Sequence, residues 1–192
     1  MHALAAQARR LNREAGAPPI PALFFFTDPE RTPDPCAIAR RLPRGAAIVY
    51  RHFGAPDRAH LARRLATIAR SRGLSLLIGA DPELAARVGA AGVHWPQRLG
   101  VQRSPGLITV AAHDASGTAL AAASGAHACI LAPVFPTHSS AGRPPLGLFH
   151  ASQLALTAAL PVIALGGVNT ETARLLSGRG FAGLAAVDAL AA

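Results

Sequence analysis

Eight short apolar runs, each ending in a turn signal and most followed by a helical stretch, constrain this chain more than any other feature of its sequence. The runs occupy residues 22–27, 46–50, 75–78, 92–95, 107–111, 128–131, 161–165 and 183–187. They are solidly apolar instead of alternating, which suits parallel strands covered on both faces. Between them the helical signals are explicit. Asp57 precedes a stretch with Leu61, Leu65 and Ile68 on one face and Arg63, Arg64, Arg70 and Arg72 on the other. Asp81-Pro82 and Asp114 read as N-terminal caps, and further helices are expected near 150–159 and from about Thr170. Three segments, starting at Gly89, Gly125 and Gly180, repeat the pattern of a helix-ending glycine feeding a strand.

Eight strands joined by right-handed helical crossovers make a (β/α)8 TIM barrel, with residues 1–192 as a single domain. The competing open, doubly wound sheet lacks its Gly-x-Gly-x-x-Gly fingerprint after the first run. One feature departs from a regular barrel: only residues 188–192 follow the last run, so the final helix is missing. Residues 1–15, with Leu4, Ala5, Ala8 and Leu11 on one face, form an extra N-terminal helix ahead of a barrel over 22–192. That helix, or the second subunit of a homodimer, is expected to cover the vacated groove.

Charge narrows the function. All 19 basic residues are arginine against 10 acidic ones, so a Schiff-base lysine, a P-loop lysine and a lysine base are excluded. The arginines are spread along the chain and aromatic residues are only 5%, which argues against nucleic acid and for an anionic small molecule. No apolar run reaches the length of a membrane span, and the first residues lack the layout of a signal peptide, so a cytoplasmic protein is expected. Cys36 and Cys129 make neither a disulfide framework nor a zinc cluster.

In such barrels chemistry belongs to the loops at the carboxyl ends of the strands. Gly166-Gly167 after the seventh run lets the backbone approach a ligand closely, and free N–H groups there suit a phosphate. Val187 and Asp188 complete that site. Thr137, Ser139 and Ser140 lie in a hydroxyl-rich sixth loop that ends in Arg143 and suits an anion clamp or lid. Arg51 follows the second run, where its charge needs an anionic ligand or an acidic partner. His94 and His113 end neighbouring strands and are the candidate catalytic groups, as donors to substrate or as acid and base. No metal set is apparent: His94, His113 and His138 come from different loops without supporting carboxylates.

These residues resemble the thiamine phosphate synthase superfamily, including its thiazole tautomerase (TenI-like) branch. The resemblance runs from Phe26-Thr27-Asp28 to Val187, with anchors at Ala91-Gly92-Val93-His94, Ala132-Pro133-Val134-Phe135-Pro136-Thr137 and Pro161 to Val168. It implies a barrel of thiamine biosynthesis or salvage that binds thiazole phosphate, thiamine phosphate or a pyrophosphorylated pyrimidine. In the synthase, a transferase, pyrophosphate leaves the pyrimidine methyl group with help from Mg2+ and basic side chains.

The chain departs from the family pattern at those places. Phe53 stands where a lysine follows the matched Arg51, and Gly79-Ala80 replaces Asn-Asp after the third run. His94 to Leu99 replaces a stretch that normally ends in Gln-Glu-Asp, Ser139-Ser140 replaces Thr-Lys, Ala111 stands for a serine and Asp188 for the last phosphate-contacting serine. Trp95-Pro96 resembles the tautomerase branch, whose catalytic histidine is replaced here by Pro133. The positions for Mg2+ ligands are therefore unmatched, and no cofactor is expected. A phosphorylated thiazole or thiamine-like ligand with a metal-independent proton shift fits better than pyrophosphate displacement, and a non-catalytic sensor or sequestering barrel is the alternative.

Overall fold

The structure, a computed structural model, describes residues 1–102, 104–137 and 144–191. Its strands are β1 (Leu23–Phe26), β2 (Ala47–Tyr50), β3 (Ser75–Gly79), β4 (Gly92–Trp95), β5 (Leu107–Ala112), β6 (Ala128–Leu131), β7 (Val162–Ala164) and β8 (Phe181–Ala186). Each pairs in parallel with its sequence neighbours, and β8 closes on β1 with Leu23 opposite Leu184 and Phe25 opposite Ala186. The expected barrel is the observed one.

The solid apolar runs have a two-sided explanation. Along β1, Phe24 and Phe26 point into the barrel with Ala47, Val49, Leu77, Ile130 and Ile163. Leu23 and Phe25 belong to the outer layer, with Ile48, Tyr50, Leu76 and Ile78 under the helices. Alternate residues thus serve two cores, and neither face of a strand is left for water.

Among the described residues six helices surround the strands: α1 (His2–Glu14), α2 (Pro35–Arg41), α3 (Arg58–Arg72), α4 (Pro82–Val88), α5 (Ala115–Ala123) and α6 (Leu148–Thr157). A seventh, α7 (Asp188–Ala191), is a single turn after β8. The caps of α4 and α5 are as expected, Asp81 accepting from the Leu84 N–H at 2.8 Å and Asp114 from the Gly117 N–H at 2.7 Å. Asp57 precedes α3, but its side chain makes no capping bond. In place of a helix from Thr170 there is a 3₁₀ turn over Thr172–Leu176.

The groove beside β8 is covered by α1, which buries Leu4, Ala5, Ala8 and Leu11. Polar side chains fix it there. Gln7 donates to the Ala173 carbonyl at 3.2 Å and to Ser177 Oγ at 2.9 Å, and Asn12 donates to the Ala182 carbonyl at 3.2 Å. Glu14 accepts from the Gly178 N–H at 2.9 Å. Among the described residues no helix is long and apolar enough to cross a membrane.

Candidate ligand site at the mouth of the barrel

The carboxyl ends of the strands surround a cavity of about 790 Å³. Ala111, Ile130, Ala132, Pro133 and Leu165 give it apolar walls, while Asp28, Arg31, Arg51, Arg98 and Asp188 supply charge. A second hollow of about 510 Å³ lies at the amino ends of β7 and β8, beside the segment that follows α1 and far from these groups. Of the expected site residues, the mouth gathers His94, His113, Arg51, Thr137, Gly166, Gly167, Val187 and Asp188. Ser139 and Ser140 lie outside the described residues.

The Gly166-Gly167 turn is built by close packing. Their φ angles are +92° and +64°, in the left-handed region that favours glycine. A Cβ at Gly166 would meet Pro133 at 2.7 Å, and one at Gly167 would meet the Pro136 carbonyl oxygen at 2.4 Å. Glycine is thus required so that the loop after β6 can lie against the loop after β7, a different reason from close approach to a ligand. The N–H groups of Gly166, Gly167 and Val168 nevertheless donate to no group among the described residues, and all three residues line the cavity. The N–H groups further along are in use, since Glu171 and Thr172 donate to Asn169 Oδ1 at 2.8 and 2.9 Å. The anion-accepting potential of this corner therefore resides in residues 166–168 and not in the 3₁₀ turn.

Arg51 has the acidic partner its position demands. Its Nε donates to the Thr27 carbonyl at 3.0 Å, its Nη2 lies 3.9 Å from Asp28 Oδ2, and its guanidinium sits 5.2 Å over the Phe26 ring. Burial lowers its pKa, opposed by the Asp28 charge. Asp28 is itself held as an anion: its pKa is lowered because the N–H groups of Arg31 and Glu30 and the Arg31 guanidinium outweigh its desolvation. Arg31 bridges the two rim carboxylates, with Nη2 at 3.2 Å from Asp28 and Nη1 at 2.9 Å from Asp188.

The two histidines differ. His94 is 4% exposed and lies edge-on to Phe26 at 5.1 Å, with Nδ1 at 2.9 Å from Thr109 Oγ1. Desolvation, aided by the Arg51 charge, pushes its pKa down to about 3, so the ring is neutral near pH 7. His113 is half-buried, and its Nδ1 lies 2.6 Å from the Ala132 carbonyl oxygen. A carbonyl only accepts, so Nδ1 carries a proton and Nε2 is the nitrogen left for exchange with a ligand.

The β3 corner bears on Mg2+, which the family resemblance implies. Asp81 is committed to capping Leu84, and Arg58 Nε lies 3.7 Å from its carboxylate. Arg58 Nη2 donates to the Gly79 carbonyl at 2.8 Å, and its guanidinium lies 5.4 Å from the Tyr50 ring and 5.2 Å from that of Phe53. Phe53 also covers Gly79, where a Cβ would meet the ring at 2.9 Å. A guanidinium and an aromatic ring fill this corner, and with Asp81 taken up by its cap and by Arg58 the β3 corner as it stands offers Mg2+ no free carboxylate.

Arg31 and Arg98 were not singled out from the sequence as site residues. A readable signal existed for Arg31, namely an Asp-Pro-Glu-Arg turn with opposite charges three positions apart directly after a strand. Arg98 lies in a 3₁₀ turn over Gln97–Leu99, beyond the strand end.

Eight parallel strands with a polar rim at their carboxyl ends define a (β/α)8 barrel, a fold whose active sites lie at that end. A family model described as thiamine monophosphate synthase matches residues 23–190. A thiamine-phosphate synthase of Alcanivorax borkumensis is 31% identical over 185 residues, covering 88% of this chain and 84% of that one. Another, from Marinobacter nauticus, is 34% identical over 174 residues, covering 81% and 76%. Among solved structures, a thiamine phosphate pyrophosphorylase from Pyrococcus furiosus superposes with a TM-score of 0.74 at 22% identity, covering 96% of this chain and 90% of that one. The chain belongs to the thiamine monophosphate synthase family.

Proposed function

We propose that this barrel binds a single phosphomonoester of the thiazole phosphate or thiamine phosphate class, in thiamine biosynthesis or salvage in the cytoplasm, and shifts a proton on it without a metal. The observation that carries this reading is the union in one cavity of three uncommitted N–H groups at Gly166, Gly167 and Val168 with an apolar wall. The amides receive the phosphate, with Arg51 after β2 and Thr137 after β6 contributing from elsewhere on the rim. The ring lies against Ala111, Ile130, Ala132 and Leu165, with neutral His94 beneath it.

His113 is the proton carrier. Its Nε2 lone pair removes a proton from one carbon of the thiazole system and the resulting Nε2–H returns it at another, so substrate and product are tautomers and nothing else is consumed. The Ala132 carbonyl fixes the ring for this task by holding Nδ1–H. Asp81, capping α4 beside Arg58, offers no step through Mg2+.

A second reading has its own support. Pro133 packs against Gly166 at the place where the tautomerase branch carries its histidine, which favours a barrel that binds the same ligand without turning it over. The deciding experiment measures calorimetric binding of phosphorylated hydroxyethylthiazole and of the free alcohol, and then conversion of a non-aromatic dihydrothiazole phosphate tautomer to its aromatic thiazole in metal-free buffer. Binding of the phosphate alone, with conversion abolished in His113→Ala, supports the enzyme. Binding without conversion supports the sensor, and equal affinity for phosphate and alcohol overturns both.

A further inference from the structure

The two carboxylates on Arg31 are held very differently. Asp28 is built into its turn: Oδ1 accepts the N–H groups of Glu30 at 3.2 Å and Arg31 at 3.1 Å, and Oδ2 faces both Arg31 and Arg51. Among the described residues the Asp188 carboxylate bonds Arg31 Nη1 alone, at 2.9 Å, and its side chain is 67% exposed. Arg31 is 27% exposed and Asp28 25%, so one end of this three-membered chain is fixed and the other is loose.

All three side chains line the same cavity as the uncommitted amides of residues 166–168. The guanidinium edge that Asp28 does not use is thus directed at a carboxylate, and a carboxylate oxygen and a phosphate oxygen make the same charge-assisted bond to an arginine. We propose that Asp188 is a stand-in for the ligand. Its carboxylate occupies the anion-binding edge of Arg31 in the free protein, and an incoming phosphate dianion displaces it, while Asp28 keeps the guanidinium in place.

The proposal rests on the phosphate reading above and adds to it a ligand-binding residue, Arg31, and a built-in competitor, Asp188. It also sets a selectivity. Arg31 and Arg51 are balanced by Asp28 and Asp188 in the resting mouth, so a ligand must compete with an anion already present. A dianionic phosphomonoester does so better than a monoanionic carboxylate, because it gives Arg31 more charge than Asp188 gives. Displacement is easy on the protein side, since Asp188 moves into solvent and leaves no buried charge behind.

The test is titration with inorganic phosphate and with phosphorylated hydroxyethylthiazole at fixed ionic strength. It uses the full chain, Asp188→Asn, Arg31→Gln and the double variant. Asp188→Asn is expected to bind both probes about threefold to tenfold more tightly, the range for one exposed ion pair and one removed like charge. Arg31→Gln is expected to bind them about tenfold or more weakly. In the Arg31→Gln background, Asp188→Asn is expected to change affinity by less than about twofold, because the competition has lost its object.

An unchanged or weaker affinity in Asp188→Asn, with the wild-type chain binding phosphate, overturns the stand-in but leaves the phosphate reading intact. The same gain with and without Arg31 assigns the effect to simple charge removal and also overturns it. Failure of both the wild-type chain and Asp188→Asn to bind phosphate overturns the phosphate reading itself. Asp188 is exposed and lies outside both cores, so its variant keeps the proposal falsifiable even if Arg31→Gln folds poorly.

Discussion

His94 makes a sharp prediction because its ring, although on the cavity wall, is almost wholly buried. Phe26 stands edge-on at 5.1 Å, Thr109 Oγ1 bonds Nδ1 at 2.9 Å, and the nearby charge is the positive Arg51. With a folded pKa near 3 against an ordinary 6.5, the folded chain binds the His94 proton only at far lower pH than the unfolded chain. A histidine pKa lowered by folding stabilises the fold above the unfolded value, and that contribution is lost as pH falls through 6.5 towards 3. Each pH unit inside that window costs about 1.4 kcal/mol, so going from pH 7 to pH 5 removes about 2 kcal/mol through this one group.

The assay is urea unfolding of the wild-type chain and of His94→Gln at pH 7 and pH 5. The wild-type chain is expected to lose about 2 kcal/mol more than the variant over that interval. The pH 5 limit keeps Asp28, whose pKa is lowered from 3.8, out of the window. Comparison with the variant cancels His52, whose pKa is also lowered by burial. Equal losses in the two proteins, or a His94 ring resonance titrating with a midpoint between pH 6 and 7, would refute the reasoning. The result also bears on function, because a pH midpoint in turnover near neutrality then belongs to a group other than His94.

Other perturbations follow from the same geometry. Gly166→Ala places a Cβ 2.7 Å from Pro133 at a φ of +92°, and chemical denaturation is expected to show a loss of about 2–4 kcal/mol. Leu11→Ala empties a fully buried site on α1 and is expected to cost about 2–4 kcal/mol, whereas exposed Arg9→Ala changes unfolding by less than about 0.5 kcal/mol. Arg51→Gln removes the cation beside Asp28 and is expected to weaken phosphate binding about tenfold or more by calorimetry. Adding EDTA is expected to leave the affinity for phosphorylated hydroxyethylthiazole unchanged, since Asp81 is occupied by Leu84 and Arg58.

The barrel was legible in the sequence because each strand is a contiguous apolar run, and runs such as 92–95 and 128–131 coincide with β4 and β6 to the residue. The Gly166-Gly167 turn was legible as a place of close approach, although what approaches it is the loop after β6. What the sequence hid is non-local. Arg31 acquires its meaning from Asp188, 157 positions away, and no pattern in either segment announces the pair. Phe53 was readable as a departure from the family pattern, but not the consequence that Arg58 from α3 joins it over Gly79. The helix expected from Thr170 is a 3₁₀ turn, and the side chain of Asn169 draws in the N–H groups of Glu171 and Thr172 at its approach. Likewise, a histidine at a strand end looks available for acid–base work until the packing of Phe26 around it is known.

The seating of α1 beside β8 has a consequence for how the molecule is assembled. Its bonds from Gln7, Asn12 and Glu14 span 164 to 170 positions, so α1 is synthesised long before the segment that holds its partners. Until then Leu4 and Leu11 have no native resting place, and Phe181 and Leu184 on the outer face of β8 have no cover. Such sequence-distant closure is slow, and it leaves two greasy surfaces exposed together during synthesis. Nascent chains of this barrel should therefore be most vulnerable to clumping and to chaperone capture just before α1 docks, and a weakened α1 should lengthen that interval.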